Sequence, residues 1–459
     1  MDCLIERRRA YRAPMAHPPN PLPMPTETPD TVRAQYEALP YPARDPADES
    51  RRLLRTWLDD LPMINHYCFG GRQSFAHGFR VLVAGGGTGD ASIFLAEQLK
   101  HTDAHIVHLD FSAASLAVAK ARGTARGLNN IEWIHASLLD LPGLGLAPFD
   151  YINCVGVLHH LDDPDAGLKA LRAVLKPDGA LGLMVYAEVG RTGVYQMQQL
   201  LRLSQTVGAD DIAAQIDHAR QVLGALPQSN WFKRGEDLYH DHRVGDAGLV
   251  DLLLHSRDRA YTVGQLFDWL TDTHGLNLEF TSTYQGRSAY LPHLVGGPDV
   301  PAVLARMAWL PKRRQFEIAE LLSGKIITHD FFATVSPDTR APYGRTDFVP
   351  LFYHEPLTGP ELSKIFRQSH GRPFMLDHSH TGLKLMVSPG KYVSRILFHV
   401  DGEKTFREIF DLVRADDTLK GPPPGDEELF ADFAPVYEIF NSIDRLLLRH
   451  ESAQPTVRV

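Results

Sequence analysis

The segment VLVAGGGTGD, residues 81–90, constrains the fold of this chain more than any other stretch. An apolar run ends in glycines at positions 85, 86, 87 and 89, and an amphipathic segment follows over residues 91–100. This order predicts a strand, a tight turn and a helix, the opening of a nucleotide-binding α/β unit. Glycine suits such a turn because it accepts positive φ and lets the backbone come close to a ligand.

A carboxylate follows the glycines at the end of a second apolar run, AHIVHLDFS, in the form of Asp110. Its distance, about 20 residues, is the spacing at which an acidic side chain meets the ribose hydroxyls of a nucleotide. The glycine pattern is GxGxG, and Asp90 stands where a dinucleotide-binding fold has a sixth-position glycine for helix packing. The sequence therefore disfavours NAD and FAD.

At these residues the chain resembles the class I S-adenosylmethionine-dependent methyltransferases. The resemblance continues through FDYINCVGVLHHLDDP (149–164) and LRAVLKPDGALGLMVYAE (171–188), which are similar to the family's fourth-strand motif and its turn into the fifth strand. It implies a Rossmann-like α/β sheet of seven strands in the order 3-2-1-4-5-7-6. It also implies S-adenosylmethionine as the cofactor.

The resemblance further implies which residues bind that cofactor. Glycines of the turn would face its methionine part, a carboxylate would bind the ribose hydroxyls, and residues after the second and third strands would lie near the adenine. In chain order these residues are Gly85, Gly87, Gly89, Asp110, Phe111, Ser137 and Leu138.

Two positions depart from the family's pattern. Val83 stands in the first strand, where the family usually has an acidic residue that braces the glycine turn. Ser137 stands where an aspartate commonly accepts the adenine amine, and a hydroxyl replaces only part of that hydrogen bonding.

Methyl transfer from a sulfonium is an in-line displacement, so the protein mainly positions, desolvates and deprotonates the acceptor. His159 and His160 follow the fourth strand, at the carboxyl edge where ligands of parallel sheets bind. We predict that His159 is the general base, because histidine titrates near neutral pH. The alternative for His160 is packing under the next helix.

Two further polar clusters, at residues 239–243 and 377–380, contain histidine and aspartate. Neither supplies alone the three or four converging ligands of a zinc site, so we predict hydrogen-bonded loops and no metal. Residues 240–243 remain candidates for contacting the acceptor.

The chain alternates strands and helices from residue 80 onward, which predicts a parallel sheet. The predicted strands are 80–84, 105–109, 131–135, 150–155, 180–186, 276–282 and 325–336, with a tight turn at 176–179. Tyr36, Tyr41 and Arg44 are candidate residues of an N-terminal lid over the cofactor. The domains predicted are a disordered tail (1–30), a helical lid (31–78), a methyltransferase domain (79–337) with a helical insertion (188–260), a proline-containing linker (338–356) and a small α+β domain (357–449).

The small C-terminal domain should contain a hairpin around residues 388–390 and a final amphipathic helix over 426–448. Its DGEKTFREI segment is similar to PqqD-type winged modules that bind peptides. That similarity implies a winged-helix-like unit.

The net charge of −9 at pH 7 argues against non-specific nucleic-acid binding. The three cysteines have no pairing or metal-ligand spacing, which favours a reducing cytoplasm. No apolar stretch approaches the roughly 20 residues of a membrane span.

These features together predict a cytoplasmic S-adenosylmethionine-dependent methyltransferase whose acceptor is open. A protein lysine or peptide acceptor is suggested by the insertion and the extra domain, an architecture similar to bacterial protein lysine methyltransferases with appended domains. A small metabolite is suggested by VLHH (157–160), which is common among enzymes that act on small molecules. The third alternative is a non-catalytic cofactor-binding or assembly protein, because Val83 and Ser137 depart from the motif.

Overall fold

A computed structural model describes residues 29–205, 211–283, 285–295, 301–353, 358–378 and 383–456. The tail predicted over residues 1–30 falls outside the described residues, except that a helix already begins at Pro29. None of the helices within these ranges is long and apolar enough to cross a membrane.

The centre of the molecule is a sheet whose main path has the strand order β3-β2-β1-β4-β5-β8-β7. β1 to β5 run parallel, β8 is antiparallel to β5 and to β7, and the two-residue β6 pairs with the end of β5. The predicted order of seven strands is therefore confirmed, with β6 as an addition. In chain order the strands are β1 (Arg80–Ala84), β2 (His105–Asp110), β3 (Ile131–His135), β4 (Phe149–Val155), β5 (Leu175–Ala187), β6 (Ala260–Tyr261), β7 (Asn277–Thr281) and β8 (Thr328–Thr334).

Helices cover both faces of this sheet, so that its strands are apolar on both sides. In chain order the helices are α1 (Pro29–Ala38), α2 (Leu61–Cys68), α3 (Asp90–Gln98), α4 (Ala113–Ala125), α5 (Pro164–Ala173), α6 (Thr192–Ser204), α7 (Ile212–Gly224), α8 (Trp231–Arg234), α9 (Asp246–Leu249), α10 (Val263–Leu266), α11 (Pro292–Val295), α12 (Ala302–Ala305) and α13 (Lys312–Ser323). Short 3₁₀ turns cover 46–50, 57–59, 138–143, 158–160, 236–238, 241–243, 286–290 and 306–309, and π-helical turns cover 250–254 and 267–273.

The N-terminal segment, predicted as a helical lid with a short helix on each side of an extended connector, is only partly helical. α1 forms, but residues 52–56 are not helical, and only the 3₁₀ turn Trp57–Asp59 remains of the second helix. A helix that the sequence did not suggest, α2, follows directly, because Pro62 lies in its first turn, where a missing N–H costs nothing.

The turn predicted at residues 176–179 lies inside β5. Leu175 already pairs with Phe149, and the pairing resumes with Ala180 opposite Tyr151. The extra residues of β5 form an irregularity in the ladder, as a β-bulge does. The strand thus begins five residues earlier than expected.

The region after β5, predicted as a helical insertion, contains helices α6 to α9 and forms a core of its own. Val194 and Met197 of α6 pack with Phe232 of α8 and with Leu249 and Leu252 near the π-helical turn 250–254. This core places the insertion beside the end of β5.

The C-terminal region contains two small antiparallel sheets, one of β9 with β12 and one of β10 with β11. Three expectations are corrected here. The segment predicted as a linker contains strand β9, and the last helix ends at Ser442 before strand β12. The antiparallel strands β10 and β11 are already complete at Val387, before the hairpin predicted around residues 388–390. The elements are β9 (Phe348–Phe352), α14 (Gly359–Gln368), β10 (Phe374–His378), β11 (Leu383–Val387), α15 (Val393–His399), α16 (Phe406–Arg414), α17 (Asp426–Ser442) and β12 (Leu446–His450). The winged-helix-like assignment stays a prediction.

The β9–β12 pair packs onto the central sheet. Tyr353 and Leu447 share a core cluster with Val81 of β1 and Tyr67 of α2. Asp444, between α17 and β12, accepts hydrogen bonds from the hydroxyls of Tyr67 and Thr281. The C-terminal residues are therefore built into the same packed structure as the sheet.

Candidate active site

A cavity of about 680 Å³ lies at the carboxyl ends of β1, β2, β4 and β5. This volume is in the range of small-molecule sites. The N-terminal segment, the glycine turn, the insertion and the start of β8 complete its walls. Open α/β sheets bind their ligands at this edge, so the cavity has the position expected of a ligand-binding site in this fold.

The glycine turn faces the cavity with backbone. Gly85, Gly86 and Gly87 line the cavity, and Gly85 and Gly87 have φ of +72° and +54°. A Cβ added to Gly85 would be 2.5 Å from the side chain of Val157, and one on Gly86 would be 2.3 Å from the His108 ring. The turn thus has no room for side chains at these positions.

Gly89 has a different place from the one predicted. It is not among the lining residues, and a Cβ there would be 2.9 Å from the Cβ of Ala119 in α4. Its φ of +100° directs the chain into α3. Gly89 therefore lets α3 and α4 approach each other.

Asp110 lines the cavity at the end of β2. Its Oδ2 accepts the N–H of Gly87 at 2.7 Å, and its Oδ1 accepts the N–H of Ser112 at 2.8 Å. Burial raises the pKa of Asp110, and the two backbone hydrogen bonds oppose that rise. The carboxylate thus connects the glycine turn to the second strand.

Phe111, Ser137 and Leu138, which were predicted to lie near the adenine, also line the cavity. The Ser137 hydroxyl accepts the N–H of Leu139 at 3.2 Å and so caps the 3₁₀ turn 138–143. The ring of Tyr36 meets that of Phe111 edge-on, with centroids 6.1 Å apart.

The predicted lid residues lie over this region. Tyr36 and Tyr41 line the cavity, whereas Arg44 is held beside the glycine turn by Asp90, with Nη2 and Oδ2 2.6 Å apart. The hydroxyl of Thr88 donates to the backbone oxygen of Pro42 at 2.7 Å. Side chains and backbone of the N-terminal segment thus contact the turn directly.

The two histidines after β4 lie differently from the prediction, in which His159 faced the ligand and His160 packed under the next helix. His159 does not line the cavity: it is fully buried, its ring lies 4.0 Å from that of Tyr186, and neither ring nitrogen has a hydrogen-bond partner within the described residues. Burial holds the pKa of His159 well below its usual value. His160 lines the cavity instead, which argues against His159 as the base.

His160, Asp251 and His255 bring possible metal-ligand atoms within 4.8 Å of one another. However, Nδ1 of His255 accepts the N–H of Arg257 at 3.0 Å, so the neutral ring carries its proton on Nε2. Asp251 accepts the hydroxyls of Tyr36 at 3.1 Å and Tyr186 at 3.0 Å. With its proton on Nε2, neutral His255 has no free lone pair for a metal, and both oxygens of Asp251 are already hydrogen-bonded.

In the polar cluster at residues 239–243, Asp241 lines the cavity. His242 instead contacts Glu236, with Nε2 and Oε1 3.3 Å apart. The side chains at 377–380 lie outside the described residues.

Two carboxylates of the cavity were missed. Asp59, 1% exposed, accepts the amide of Asn153 at 2.7 Å, and burial raises the pKa of Asp59 to about 7. Asp330 on β8 accepts the hydroxyl of Thr328 at 2.9 Å, and burial raises the pKa of Asp330 to about 6. Neither belongs to a recognisable sequence motif, because only tertiary packing brings them to the cavity.

Comparison with known proteins agrees with this geometry. Residues 82–181 match a family described as "Methyltransferase domain". The Synechococcus "Uncharacterized protein syc1184_c" is 33% identical over 320 residues, which cover 68% of this chain and 73% of that protein. The tRNA 5-carboxymethoxyuridine methyltransferase of Escherichia coli is 36% identical over 108 residues, covering 23% of this chain and 40% of that enzyme.

Among solved structures, PKMT2 from Rickettsia typhi superposes with a TM-score of 0.58 at 15% identity, covering 85% of this chain and 75% of that one. A second structure of PKMT2 contains AdoHcy. At this identity the similarity concerns the fold. Together with the matched domain, the relatives and the strand order, it shows that the chain belongs to the class I S-adenosylmethionine-dependent methyltransferases and uses S-adenosylmethionine as its methyl donor.

Proposed function

We propose that the cavity has two halves, with the cofactor at the ends of β1, β2 and β3 and an amine acceptor at the ends of β5 and β8. The charge of the residues that line the cavity is the observation that supports an amine as the acceptor. Among the described residues, eight aspartates and three arginines line the cavity, and no lysine or glutamate does so. Such an acidic surface attracts a cationic ligand and repels an anionic one.

The cofactor half fits S-adenosylmethionine. The glycine turn offers bare backbone, and the carboxylate of Asp110 is placed to accept hydrogen bonds from ribose hydroxyls. Phe111 and Leu138 offer apolar contact for the adenine, and Ser137 a hydroxyl. When bound, the cofactor supplies a methyl group already activated on a sulfonium.

The acceptor half lies beyond β4. The Tyr186 side chain at the end of β5, Asp330 on β8 and Asp251 in the insertion form its walls. Carboxylates bind ammonium ions through charge and hydrogen bonds, whereas the Tyr186 ring is already in cation–π contact with Arg191, 3.6 Å from its centroid. The insertion contributes Asp251 to this wall, which supports a role of the insertion in contacting the acceptor.

An ammonium group must lose a proton before its nitrogen can act as a nucleophile. We propose that Asp330 is the general base that accepts this proton. Burial raises the pKa of Asp330 to about 6, which is nearer neutrality than the pKa of an ordinary carboxylate. The Thr328 hydroxyl, which donates to Oδ2, orients this carboxylate. His159 is too enclosed to serve.

The test is labelling of a cell lysate with S-adenosyl[methyl-³H]methionine and the full-length protein, followed by separation by size. The products are then treated with base, which hydrolyses methyl esters to volatile methanol and leaves methylated amines intact. Base-stable label recovered as N-methyl groups supports the proposal. Label lost as methanol, or found on oxygen or sulfur, contradicts it.

The size separation also identifies the carrier of the amine. Label in the protein fraction favours a lysine or peptide acceptor, and label in the low-mass fraction favours a metabolite. Asp330→Asn is the matched variant, since it keeps the volume of the side chain and removes the base.

A further inference from the structure

Asp59 is a buried carboxylate at the cofactor end of the cavity. It closes the 3₁₀ turn Trp57–Asp59, which precedes the sheet by about 20 residues of chain, and lines the cavity together with Val83 and Gly85. Its Oδ1 accepts the amide of Asn153 at 2.7 Å. Asn153 in β4 pairs directly with Val83 in β1. The carboxylate of Asp59 therefore stands beside the strand position at which this chain has valine.

Within the part of the chain that the structure describes, Asp59 has a hydrogen-bond donor, Asn153, but no cation that lowers its pKa. Burial is the largest influence on the pKa of Asp59, and the neutral side chains of Thr56 and Asn153, the latter through its hydrogen bond, oppose that influence. No ion pair to Asp59 occurs among the described residues, in contrast to Asp90, which contacts Arg44 and Arg122. A buried carboxylate without a cation is costly in the free protein, and a cationic ligand removes that cost.

S-adenosylmethionine carries positive charge at its methionine end, on the α-ammonium and on the sulfonium. The glycine turn proposed to face this end follows β1, whose Val83 pairs with Asn153, the hydrogen-bond donor to Asp59. An ammonium has three N–H donors, whereas a sulfonium has none, so a carboxylate can hydrogen-bond only the first.

We propose that Asp59 binds the α-ammonium group of the cofactor and supplies from the N-terminal segment a carboxylate that β1 lacks at Val83. This inference rests on the cofactor placement proposed above. It makes the N-terminal segment part of the cofactor site and not only a cover over it.

The test compares three ligands by calorimetry on the full chain. S-adenosylmethionine and S-adenosylhomocysteine both carry the α-ammonium, and 5′-methylthioadenosine lacks it. Asp59→Asn keeps the shape of the side chain and its contact with Asn153. We expect it to weaken both amino-acid ligands by about 10- to 100-fold, the value of one hydrogen bond to a charged group, and to change 5′-methylthioadenosine less than about twofold.

The matched control is Asp60→Asn. Asp60 is as buried as Asp59, and burial also raises its pKa to about 7, but it contacts Tyr353 and does not line the cavity. It should leave all three affinities unchanged. An equal loss for the three ligands in Asp59→Asn, or an unchanged affinity for S-adenosylhomocysteine, overturns the inference.

A second variant separates this inference from the cofactor placement. All three ligands contain the ribose, so Asp110→Ala should weaken them alike. If Asp110→Ala has no effect, the placement itself is wrong. If Asp110→Ala weakens all three and Asp59→Asn weakens none, only the role of Asp59 is wrong.

Discussion

The backbone oxygen of Tyr41 lies over Gly87, so close that a Cβ added to the glycine would be 2.8 Å from it. This contact joins the N-terminal segment to the glycine turn by backbone alone. Because Gly87 also donates its N–H to Asp110, three separate parts of the chain meet at one residue. The cofactor half of the cavity is thus a composite of the N-terminal segment and the sheet.

Gly87→Ala should therefore disturb the site more than positive φ alone explains. A non-glycine residue in the left-handed region costs about 1–2 kcal/mol, and the contact with Tyr41 adds to that. Gly145→Ala is the control, since Gly145 has φ of +66° and nothing within 4 Å of an added Cβ. Urea unfolding should show a larger loss of stability in Gly87→Ala than in Gly145→Ala, and titration a larger loss of cofactor affinity. Equal losses would mean that the segment around Tyr41 moves away from the added methyl group at no measurable cost in free energy.

Asp110→Ala should weaken S-adenosylmethionine by about 1–3 kcal/mol, because it removes a charged acceptor from the ribose and releases the Gly87 N–H. Asp110→Asn keeps one acceptor oxygen and should lose less. Calorimetry on the two variants measures the difference. An affinity equal to that of the unmodified protein in both would remove Asp110 from the site.

The parallel sheet was predictable because its signals are local. β1 and β3 have the predicted bounds, and the strand order follows from the family resemblance. The pairing of β9 with β12 was not predictable, because the paired residues lie 94 to 102 positions apart in the chain, from Phe352 opposite Leu446 to Phe348 opposite His450. Pairing at such separation leaves no local pattern.

The site was predictable to the same extent. Gly85, Gly87 and Asp110 lie at the cavity because the turn and the strand ends place them there. The choice between His159 and His160 depends on the rotation of a single 3₁₀ turn, Leu158–His160, and sequence spacing cannot resolve neighbouring residues. Asp59 enters the cavity only through the packing of the N-terminal segment.

Asp330→Asn should lower the rate of methyl transfer by about 10²- to 10⁴-fold, the usual contribution of a general base. In the unmodified protein kcat/KM should fall as the pH drops through about 6, because protonated Asp330 cannot accept the acceptor's proton. His159→Asn should cost far less, since His159 does not reach the cavity. The measurement is the pH dependence of kcat/KM for each protein. If Asp330→Asn keeps the same fall at low pH, another group is the general base.

The stability of the free protein should also report on Asp59. Because its pKa is raised to about 7, the folded state keeps a proton that the unfolded chain loses near pH 4. The stability that this retained proton gives the folded state is fully present below pH 4 and is lost as the pH rises through 7. Asp59→Asn, which stays neutral, should match the unmodified protein at pH 4 and exceed it at pH 8 by about 2–4 kcal/mol in the free energy of unfolding.

Saturating S-adenosylmethionine should reduce or reverse that advantage at pH 8, because the ligand's ammonium stabilises the ionised Asp59 and not the amide. Asp60→Asn has the same buried chemistry and should gain stability at pH 8 without this reversal. Urea unfolding with and without ligand measures both effects. A gain for Asp59→Asn that the ligand leaves untouched would speak against an ammonium at this carboxylate.

Asp444 connects the C-terminal residues to the cavity, and its removal is the last test. It is fully buried and accepts the hydroxyls of Tyr67 and Thr281, and Thr281 in turn accepts the indole N–H of Trp57 at 2.8 Å. Asp444→Ala leaves two buried hydroxyls without an acceptor, at about 1–3 kcal/mol each, and places alanine at φ of +55°. Asp338→Ala is the control, because Asp338 has the same φ of +55° on the surface and carries only the backbone cost of about 1–2 kcal/mol. Since Trp57 lines the cavity beside Asp59, Asp444→Ala should also weaken S-adenosylmethionine, whereas Asp338→Ala should not. Equal losses of stability in the two variants would mean that the hydrogen bonds of Asp444 contribute nothing, and an unchanged cofactor affinity would confine its role to holding the C-terminal strand pair in place.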